Sequence, residues 1–216
     1  PFVWGPVGGT QNYPWSMLPH AGLATAFHEA ARGIINVAQL RLGRRIRTAA
    51  RSAGAVLAST STVAKHMQQA LQVDVEVLCD VGVHGIAPEL RPPSEAGDKL
   101  RVLWAGVLQP RKSLELLIDA LALAGDNLNC EVRVMGEGSS ESTWRRLGEK
   151  RGVSDRIAWL GGLPHEQALE QFNWADCLAF TSLRDTTGTV MLEAFASGTP
   201  VVCLDHQGGR DIVTAD

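Results

Sequence analysis

Two acidic side chains, Asp185 and Glu193, stand near the end of the 216-residue sequence, separated by a turn and the start of a helix. The turn reads Asp-Thr-Thr-Gly-Thr, and the short apolar helix that carries Glu193 is predicted to end at Gly198. Carboxylates accept hydrogen bonds from sugar hydroxyls, whereas the unpaired N–H groups at a helix start bind phosphate. The residue types and their spacing therefore favour a ligand that carries several hydroxyls and a phosphate.

The segment 182–202 resembles the E-x7-E signature of the retaining glycosyltransferases of family 4, which have the GT-B fold. Asp185 stands where that family usually has Glu, which keeps the charge but shortens the side chain by one methylene. Other matches follow in the expected order: VLWAGVLQPRKSLELLIDAL at 102–121, VRVMGEGSS at 132–140 and IAWLGGLPHEQALEQFNWADCLAFTSL at 157–183. The resemblance covers nearly all of 100–216 and, more loosely, 1–90.

The elements that must position these motifs alternate from residue 100 onward, which predicts an α/β fold with a doubly wound parallel sheet. The predicted strands are 100–105, 131–135, 156–160, 176–180 and 200–204, and the predicted helices are 113–124, 141–151, 165–173 and 188–197. Ligands of such sheets bind beyond the carboxyl ends of the strands. The motifs fall in the strand-to-helix loops at that edge.

The earlier part of the chain has a less regular pattern. Phe2–Trp4 is predicted to be a short buried strand that runs into a glycine-rich loop at Gly5, and 54–61 a second strand with its following loop. A helical pattern over 22–52 is interrupted at two glycines, Gly33 and Gly43. The remaining predicted elements are a helix over 62–71 with a Ser/Thr cap and a strand over 75–78.

The resemblance implies a GT-B architecture of two Rossmann-like domains. We interpret 1–90 as part of the acceptor-side N-terminal domain and 100–216 as the nucleotide-sugar-binding domain, with its C-terminus incomplete. The polar stretch 91–99, which is rich in Pro and Gly, is interpreted as the linker. Both ends of the chain look cut, so we interpret the sequence as a fragment that is inactive alone.

The resemblance also implies site residues. Lys112 is expected to neutralise the leaving diphosphate, Asp185 to bind donor-sugar hydroxyls and Glu193 to bind the ribose, and these three are the expected catalytic residues. The other expected donor-binding residues are Gly106, Arg111, Gly136, Gly138, Leu160, Gly161, Thr186, Thr187, Gly188 and Thr189. The loop with Gly8 and Gly9 is expected to face the acceptor or, alternatively, to be a structural turn. The loop 206–209 lies where the family often has a glycine-rich loop near the donor sugar.

One motif departs from the family pattern. Where the family usually reads Gly-Arg-x4-Lys-Gly, this chain has Gly106, Val107, Lys112 and Ser113, so one positive charge is missing. Arg111 either replaces that charge or points elsewhere.

Two further motifs have structural alternatives. Gly136-Glu137-Gly138 either lets a nucleotide pack against the backbone or forms a tight strand-to-helix turn, and it lacks the third glycine of an NAD fingerprint. Trp159, beside the loop expected to contact the nucleobase, is interpreted as a core residue rather than a stacking platform.

The net charge and the spacing of the cysteines and histidines limit which partners and which metal sites are expected. The net charge of −3 gives no electrostatic case for nucleic acid binding. The cysteines form no CxxC pair and the histidines show no ligand spacing, so no metal site or cofactor is predicted; a UDP- or GDP-sugar is the expected substrate. We interpret Cys130, Cys177 and Cys203 as buried thiols of a cytoplasmic protein.

A basic cluster in 22–52 suggests a further partner. Its members are Arg41, Arg44, Arg45, Arg47 and Arg51, and helical spacing would place 41, 44, 45 and 48 on one face. Such a face suits peripheral contact with anionic lipids at the inner face of a membrane. The alternative is an ordinary solvated helix face.

The resemblance implies transfer of a sugar from a nucleotide diphosphate sugar to a hydroxyl of a saccharide or lipid-linked acceptor, with retention and without a metal. Cell-surface polysaccharide or glycolipid synthesis is the expected setting. The alternatives are a non-catalytic nucleotide-sugar-binding protein and a GT-B sugar-nucleotide epimerase.

Overall fold

The computed structural model describes residues 2–83 and 99–213, and these divide into two compact units. Among the described residues, the first unit takes 2–82, 183–188 and 205–213, and the second takes 83, 99–182 and 189–204. Of the predicted linker, 91–98 lies outside the described residues. The division into domains at 91–99 stays a prediction.

The strands of the described residues are β1 (Val3–Val7), β2 (Ala55–Ala58), β3 (Glu76–Val77), β4 (Leu100–Ala105), β5 (Cys130–Met135), β6 (Ile157–Gly161), β7 (Cys177–Phe180) and β8 (Val201–Cys203). The α-helices are α1 (Leu23–Leu42), α2 (Arg44–Ser52), α3 (Ser61–Leu71), α4 (Leu114–Ala124), α5 (Glu141–Arg151), α6 (His165–Trp174), α7 (Thr189–Ala196) and α8 (Gly208–Ile212). Short 3-10 helices cover Trp15–His20, Pro110–Lys112, Gly125–Asn127 and Ser154–Arg156. Within the described ranges, no helix is both long and apolar enough to cross a membrane.

The first unit contains a parallel sheet in the order β1-β2-β3. β1 continues through Gly5 and Pro6 to Val7, so the prediction that the strand gives way to a loop at Gly5 was wrong. The predicted burial was also wrong, because Phe2 and Val3 are exposed. β1 extends to Val7 because its pairing with β2 resumes there, opposite Ala58, after an irregularity in the register. The side chain of Thr60 accepts a hydrogen bond from the N–H of Val63, which confirms the predicted cap of α3.

Only one of the two predicted helix interruptions occurs. Gly43 adopts an extended conformation between α1 and α2 and ends the first helix, whereas α1 runs without a break through Gly33. Gly33 is buried, and a Cβ there would lie 3.6 Å from the Trp15 ring and 3.7 Å from Asn12. These are ordinary contact distances, so the space does not demand glycine; tertiary packing of this face of α1 outweighs the cost of glycine inside a helix, about 1 kcal/mol.

The break at Gly43 also overturns the predicted basic face. Arg41 lies at the end of α1, whereas Arg44 and Arg45 begin α2, so no single helix carries all of them. The helical spacing used for that prediction does not continue through the extended Gly43.

The second unit contains a five-stranded parallel sheet in the order β6-β5-β4-β7-β8, which confirms the predicted doubly wound fold. The chain moves from the central β4 outward to β6, then returns and continues from β7 to β8 on the other side. The strand order therefore reverses between β4 and β7, the place where ligands bind in sheets of this type. Leu103, Val132 and Leu178, one from each of the three central strands, are fully buried.

The backbone is crowded where β4 and β5 end. Gly136 has a φ of 128°, and a Cβ there would lie 1.9 Å from the carbonyl oxygen of Gly106. The N–H of Gly106 in turn donates to the carbonyl of Met135 at 3.0 Å. No side chain fits between these two loops.

We expect Gly136→Ala to destabilise the chain by about 3 kcal/mol or more, because the added methyl must displace backbone. Gly152→Ala is the matched control: its φ of 70° is also positive, but no atom lies within 4 Å of its Cβ position. The control should lose only about 1 kcal/mol. Urea unfolding of both variants measures the difference, and equal losses would contradict the crowding argument.

Candidate functional site

The loop after β4 is fastened to the end of β7, on both sides of the strand-order reversal. The indole Nε1 of Trp104 donates to Thr181 Oγ1 at 2.9 Å, and the Thr181 hydroxyl donates to the carbonyl of Lys112 at 2.9 Å. The hydroxyl of Ser182 reaches the carbonyl of Arg111 at 3.4 Å. These bonds fix the backbone that presents Lys112 at the carboxyl edge of the second sheet.

The side chain of Lys112 extends along this edge. Its Nζ lies 5.5 Å from the centroid of the Phe180 ring, and its Cε would lie 3.9 Å from a Cβ on Gly106. A cation over an aromatic face is held by the ring's negative π-surface. The lysine stem thus lies at ordinary contact distance from Gly106, and the donor-binding roles of Gly106 and Lys112 stay predictions.

The departures from the motif have visible structural consequences. Ser113 adopts a left-handed conformation with φ 48° and ψ 49°, a conformation that glycine adopts most readily, which explains why the family usually has glycine there. Its hydroxyl donates to the carbonyl of Pro110 at 3.1 Å. Val107 is 47% exposed, so an uncharged side chain faces solvent at the position of the family's arginine. The Nε of Arg111 lies 3.4 Å from Gln109 Oε1.

The three loops that follow β4, β5 and β6 are joined by backbone contacts. The N–H of Gly136 donates to the carbonyl of Gly161 at 2.8 Å, and the N–H of Gly162 donates to Glu137 Oε1 at 3.1 Å. A Cβ on Gly138 would lie 2.3 Å from the carbonyl oxygen of Leu108. Backbone packing alone therefore requires Gly136 and Gly138, and contact with a nucleotide at Gly136, Gly138, Leu160 and Gly161 stays a prediction.

Trp159 packs against the core of the second unit, as its interpretation as a core residue predicts. The guanidinium of Arg145 lies over its ring at 4.6 Å from the centroid, so that ring already has a cationic neighbour.

Glu193 lies on α7 and is half-buried. Loss of solvent raises the pKa of its carboxyl group, and the nearby His165 acts in the opposite direction. This environment differs from that of a solvated helix charge. A desolvated carboxylate has much to gain from hydroxyl donors, so Glu193 is suited to accept hydrogen bonds from a diol.

The segment 183–188 belongs to the first unit and holds Asp185 in a network of hydrogen bonds. The N–H of Asp185 donates to Gln207 Oε1 at 2.9 Å, and the N–H of Thr186 donates to Asp185 Oδ1 at 3.1 Å. The Thr187 hydroxyl donates to Asp80 Oδ1 at 2.6 Å. The chain conformation around Asp185 is thus set by side chains distant in sequence.

The structure also brings the loop after β1 to this segment. A Cβ on Gly8 would lie 3.1 Å from Thr186 Cγ2, a close approach that only glycine allows without a shift. The N–H of Gly9 donates to Gln11 Oε1 at 2.7 Å, and space is open beside its own Cβ position. Gly8 therefore has a packing role, and the acceptor-facing role of both glycines stays a prediction.

A buried ion pair anchors the residue before Asp185. Nη2 of Arg184 donates to Glu29 Oε1 at 3.0 Å, and its Nε lies 3.0 Å from Oε2, while the Glu29 side chain is only 5% exposed. The first contact is a charge-assisted hydrogen bond, whereas the second is an ion pair without hydrogen-bond geometry. Glu29 thereby fixes the segment 183–188 on α1.

The predicted site residues fall into two groups. The second unit holds Gly106, Arg111, Lys112, Gly136, Gly138, Leu160, Gly161, Thr189 and Glu193, and the first holds Gly8, Gly9, Asp185, Thr186, Thr187 and Gly188. Convergence of Asp185 with Glu193 on one ligand stays a prediction. Among residues 2–83 and 99–213, no three His, Cys, Asp or Glu side chains cluster as metal ligands.

Sequence reasoning missed Glu29, Asp80 and Thr181. Glu29 and Arg184 are separated by more than 150 positions, and the residues around each of them do not predict that the two form a pair. The acidic residue in the middle of the otherwise apolar and alanine-rich start of α1 was the one available signal.

The family profile described as "Glycosyl transferases group 1" matches residues 87–216, more than half of the chain. The chain belongs to this family. The match contains both acidic residues and all of the strand-to-helix loops of the second unit.

Individual relatives agree with this assignment. D-inositol 3-phosphate glycosyltransferase from Corynebacterium glutamicum is 34% identical over 122 residues, which is 53% of this chain and 29% of that protein. Alpha-D-kanosaminyltransferase from Streptomyces kanamyceticus is 25% identical over 179 residues, which is 77% of this chain and 46% of that protein. The chain thus spans less than half the length of these relatives.

Solved structures show the same GT-B fold. The lipopolysaccharide outer core galactosyltransferase WaaB matches with a TM-score of 0.67 at 21% identity, over 82% of this chain and 50% of that one. Anabaena HepE in complex with UDP matches with a TM-score of 0.66 at 20% identity, over 83% and 52% of the two chains.

We expect Glu29→Gln to destabilise the chain by about 3 kcal/mol, because it leaves the Arg184 guanidinium partly buried opposite a neutral amide. Urea unfolding measures the loss. The matched control is the double variant Glu29→Met with Arg184→Met, which removes both charges and should recover most of the stability. A double variant as unstable as Glu29→Gln would contradict the ion-pair argument.

Proposed function

We propose that this chain is the donor-binding part of a glycosyltransferase of family 4 that transfers a sugar from a nucleotide diphosphate sugar to a hydroxyl group with retention. The observation that carries the proposal is the group 1 glycosyltransferase match over 87–216. The geometry supports it, because Lys112 stands where the strand order reverses, the usual ligand edge of such a sheet.

The proposed roles follow from the chemistry of the groups. Breaking the bond to the nucleoside diphosphate leaves negative charge on the departing phosphates while positive charge develops on the sugar. The Lys112 ammonium and the N–H groups at the start of α7 stabilise the leaving group. Glu193 accepts hydrogen bonds from the ribose hydroxyls, and Asp185 from those of the donor sugar.

We propose a uridine nucleotide as the first donor to test and GDP as the second. The support is indirect: structures that share the fold carry UDP, as in HepE with UDP and HepE with UDP-glucose. No residue described above selects the base, since the expected base contacts at Leu160 and Gly161 are made by main-chain groups.

The proposal for the acceptor has less support than the proposal for the donor. We propose a saccharide or lipid-linked acceptor in a cell-surface polysaccharide or glycolipid pathway, at the cytoplasmic face of a membrane. The names of two matching structures, WaaB and the lipopolysaccharide glycosyltransferase WaaG, support this class. Because the relatives are about twice as long or longer, we propose that the 216-residue chain binds donor without turnover.

One observation favours a second candidate, a non-catalytic nucleotide-sugar-binding protein. Val107 is half-exposed where the family has the second positive charge for the leaving diphosphate. Without that charge the chain retains groups for binding but has less stabilisation for the transition state.

We expect Glu193→Gln to weaken UDP binding about tenfold or more, because a charged acceptor of two hydrogen bonds becomes a neutral one. Isothermal titration calorimetry measures this. Glu149→Gln, an exposed acidic residue of α5, is the matched control and should bind as the parent does. Parent-like affinity in Glu193→Gln would remove Glu193 from the site, and no binding of UDP or GDP by the parent would refute the donor proposal.

The same substitution has a pH-dependent effect on stability. Because burial raises the folded-state pKa of Glu193, the ionised carboxyl destabilises the unliganded chain once the pH exceeds that pKa. Glu193→Gln should therefore be at least as stable as the parent at pH 8, and any advantage should disappear as the pH falls and the carboxyl is protonated. Thermal unfolding without ligand measures this and shows that the variant is folded.

We expect Val107→Arg to strengthen UDP binding by roughly five- to tenfold, because it restores a charge that can pair with the diphosphate. Val107→Gln adds length without charge and is the control. Uridine, which lacks phosphate, should bind both variants equally. Equal UDP affinities of Val107→Arg and Val107→Gln would show that the side chain at 107 does not reach the phosphates.

A further inference from the structure

The loop that presents Lys112 is followed directly by a glutamate that has no role in the proposed transfer. Glu115 lies in the first turn of α4 and is partly buried. Its Oε2 is buried and accepts no hydrogen bond from the described residues. A carboxylate oxygen in such a place loses its hydration without gaining a donor, which favours the protonated form of the group.

The surroundings of Glu115 act on its carboxyl in both directions. Burial raises the pKa of Glu115, and hydrogen bonds from its own backbone N–H, from Ser113 and from Trp144 act in the opposite direction. Burial is the largest of these effects. The protonated form therefore persists to a higher pH than in an ordinary glutamate.

Ser113 connects this carboxyl to the turn that carries Lys112. The carbonyl of Pro110 accepts both the N–H and the hydroxyl of Ser113, each at 3.1 Å, and these bonds close the 3-10 turn Pro110–Lys112. The same hydroxyl hydrogen-bonds the Glu115 carboxyl. Because a hydroxyl has one proton, it cannot donate to both acceptors at once.

The charge of Glu115 decides which acceptor takes that proton. A hydrogen bond to a carboxylate is roughly twice as strong as one between neutral groups, so ionised Glu115 draws the Ser113 hydroxyl away from the Pro110 carbonyl. When Glu115 is protonated, this advantage is lost and the hydroxyl donates to Pro110. The 3-10 turn is therefore closed by the N–H and the hydroxyl in the protonated state, and by the N–H alone in the ionised state.

A second route joins Glu115 to the same turn. The Trp144 side chain that hydrogen-bonds Glu115 meets the Trp104 ring edge to face, with centroids 5.9 Å apart. Trp104 in turn donates to Thr181, whose hydroxyl donates to the carbonyl of Lys112. Because this carbonyl is fixed from the other side, the loss of the Ser113 hydroxyl bond changes the turn itself.

One further charged group acts on Glu115. Asp119, one turn further along α4, also raises the pKa of Glu115 through its negative charge. Asp119 is itself paired with Arg151 of α5 at 2.7 Å. In the 3-10 turn, the Lys112 ammonium is held over the Phe180 ring. The groups that act on the Glu115 carboxyl are thus hydrogen-bond donors and one carboxylate, and burial dominates its titration.

We propose that Glu115 is a positioning residue for Lys112 and makes binding of the donor's diphosphate depend on a proton. With the carboxyl protonated, Ser113 closes the turn and Lys112 is presented to the phosphates. With the carboxyl ionised, the turn loosens and the affinity for diphosphate falls. This inference rests on the proposed donor binding by Lys112. It is particular to this chain, because the glycine that the family usually has at position 113 carries no hydroxyl.

The test is a calorimetric titration with UDP between about pH 5 and pH 8, the range above the ordinary pKa of glutamate. The parent chain is compared with Glu115→Gln, which keeps the shape of the protonated carboxyl and stays neutral. Their affinity ratio cancels the titration of UDP and of other groups. The parent's relative affinity should fall about fivefold across this range, the worth of one hydrogen bond. A constant ratio overturns the proposal.

Two further variants test the route through Ser113. Ser113→Gly removes the hydroxyl and suits the left-handed backbone, whose φ is 48°, so its relative affinity should not change with pH. A decline as steep as the parent's would show that the charge acts without Ser113 and would overturn the route. Glu166→Gln, which changes an exposed glutamate in the first turn of α6, is the matched control and should keep the parent's decline. Loss of the decline in this control would overturn the assignment to Glu115.

Uridine, which lacks phosphate, separates the positioning of Lys112 from a general loosening of the structure. The ratio of uridine affinities between the parent and Glu115→Gln should stay constant with pH, because no phosphate reaches Lys112. A decline equal to that of UDP would mean that Glu115 acts on the whole unit, and would overturn the positioning role. Thermal unfolding at each pH shows that both proteins are folded.

An NMR titration without ligand separates this inference from the proposed function. The amide N–H signal of Lys112 should follow the titration of Glu115 in the parent, but not in Glu115→Gln or Ser113→Gly. This response without binding of UDP or GDP supports the coupling of Glu115 to the turn and refutes the donor role. UDP binding without this response overturns the inference and leaves the donor role intact.

Discussion

Backbone contact at the carboxyl ends of β4 and β5 is the constraint on which the candidate site of the second unit depends. The space between Gly106 and Gly136 excludes even a methyl group, so the two loops can only fit together as bare main chain. Hydrogen bonds to the third loop, at Gly161 and Gly162, extend the contact across three neighbouring strands. A rigid main-chain edge results, and Lys112 projects from it with its own carbonyl fastened to Thr181.

A different principle positions Asp185. Its segment contains no regular secondary structure, so side chains supply the support that a helix or strand would otherwise give. The Glu29 carboxylate is tolerated inside the first unit because the Arg184 guanidinium neutralises it, and the amide of Gln207 satisfies the N–H of Asp185. Loops that carry functional residues need such anchors, since their own backbone bonds are few.

The features of the fold that depend on local periodicity could be predicted from the sequence. The alternation of strands and helices from residue 100 onward, and the doubly wound order that follows from it, were predicted because each element buries a continuous apolar face. Gly33 was misjudged because its neighbours Trp15 and Asn12 reach it through tertiary packing that no local window contains. The extended Gly43, in contrast, separates basic residues that the helical spacing predicts on one helix face.

The parts of the site that escaped prediction are pairings between distant segments. Glu29 with Arg184, and Asp80 with Thr187, join residues that are separated by more than a hundred positions. Side-chain chemistry alone offers many partners for one carboxylate, and only the folded chain selects among them. The sequence shows that Ser113 departs from the family motif. It does not predict the left-handed backbone of Ser113, since serine seldom adopts that conformation.

Gln207 makes the segment around Asp185 depend on a loop that is far away in the sequence. Its amide is committed at one end to the carbonyl of Asn12 and at the other to the N–H of Asp185, so a displacement at either end is transmitted to the other. A group that binds at Asp185 therefore also restrains the loop at Asn12. Thermodynamic linkage makes the effect reciprocal, so that any contact that immobilises Asn12 changes the affinity at Asp185 by the same factor.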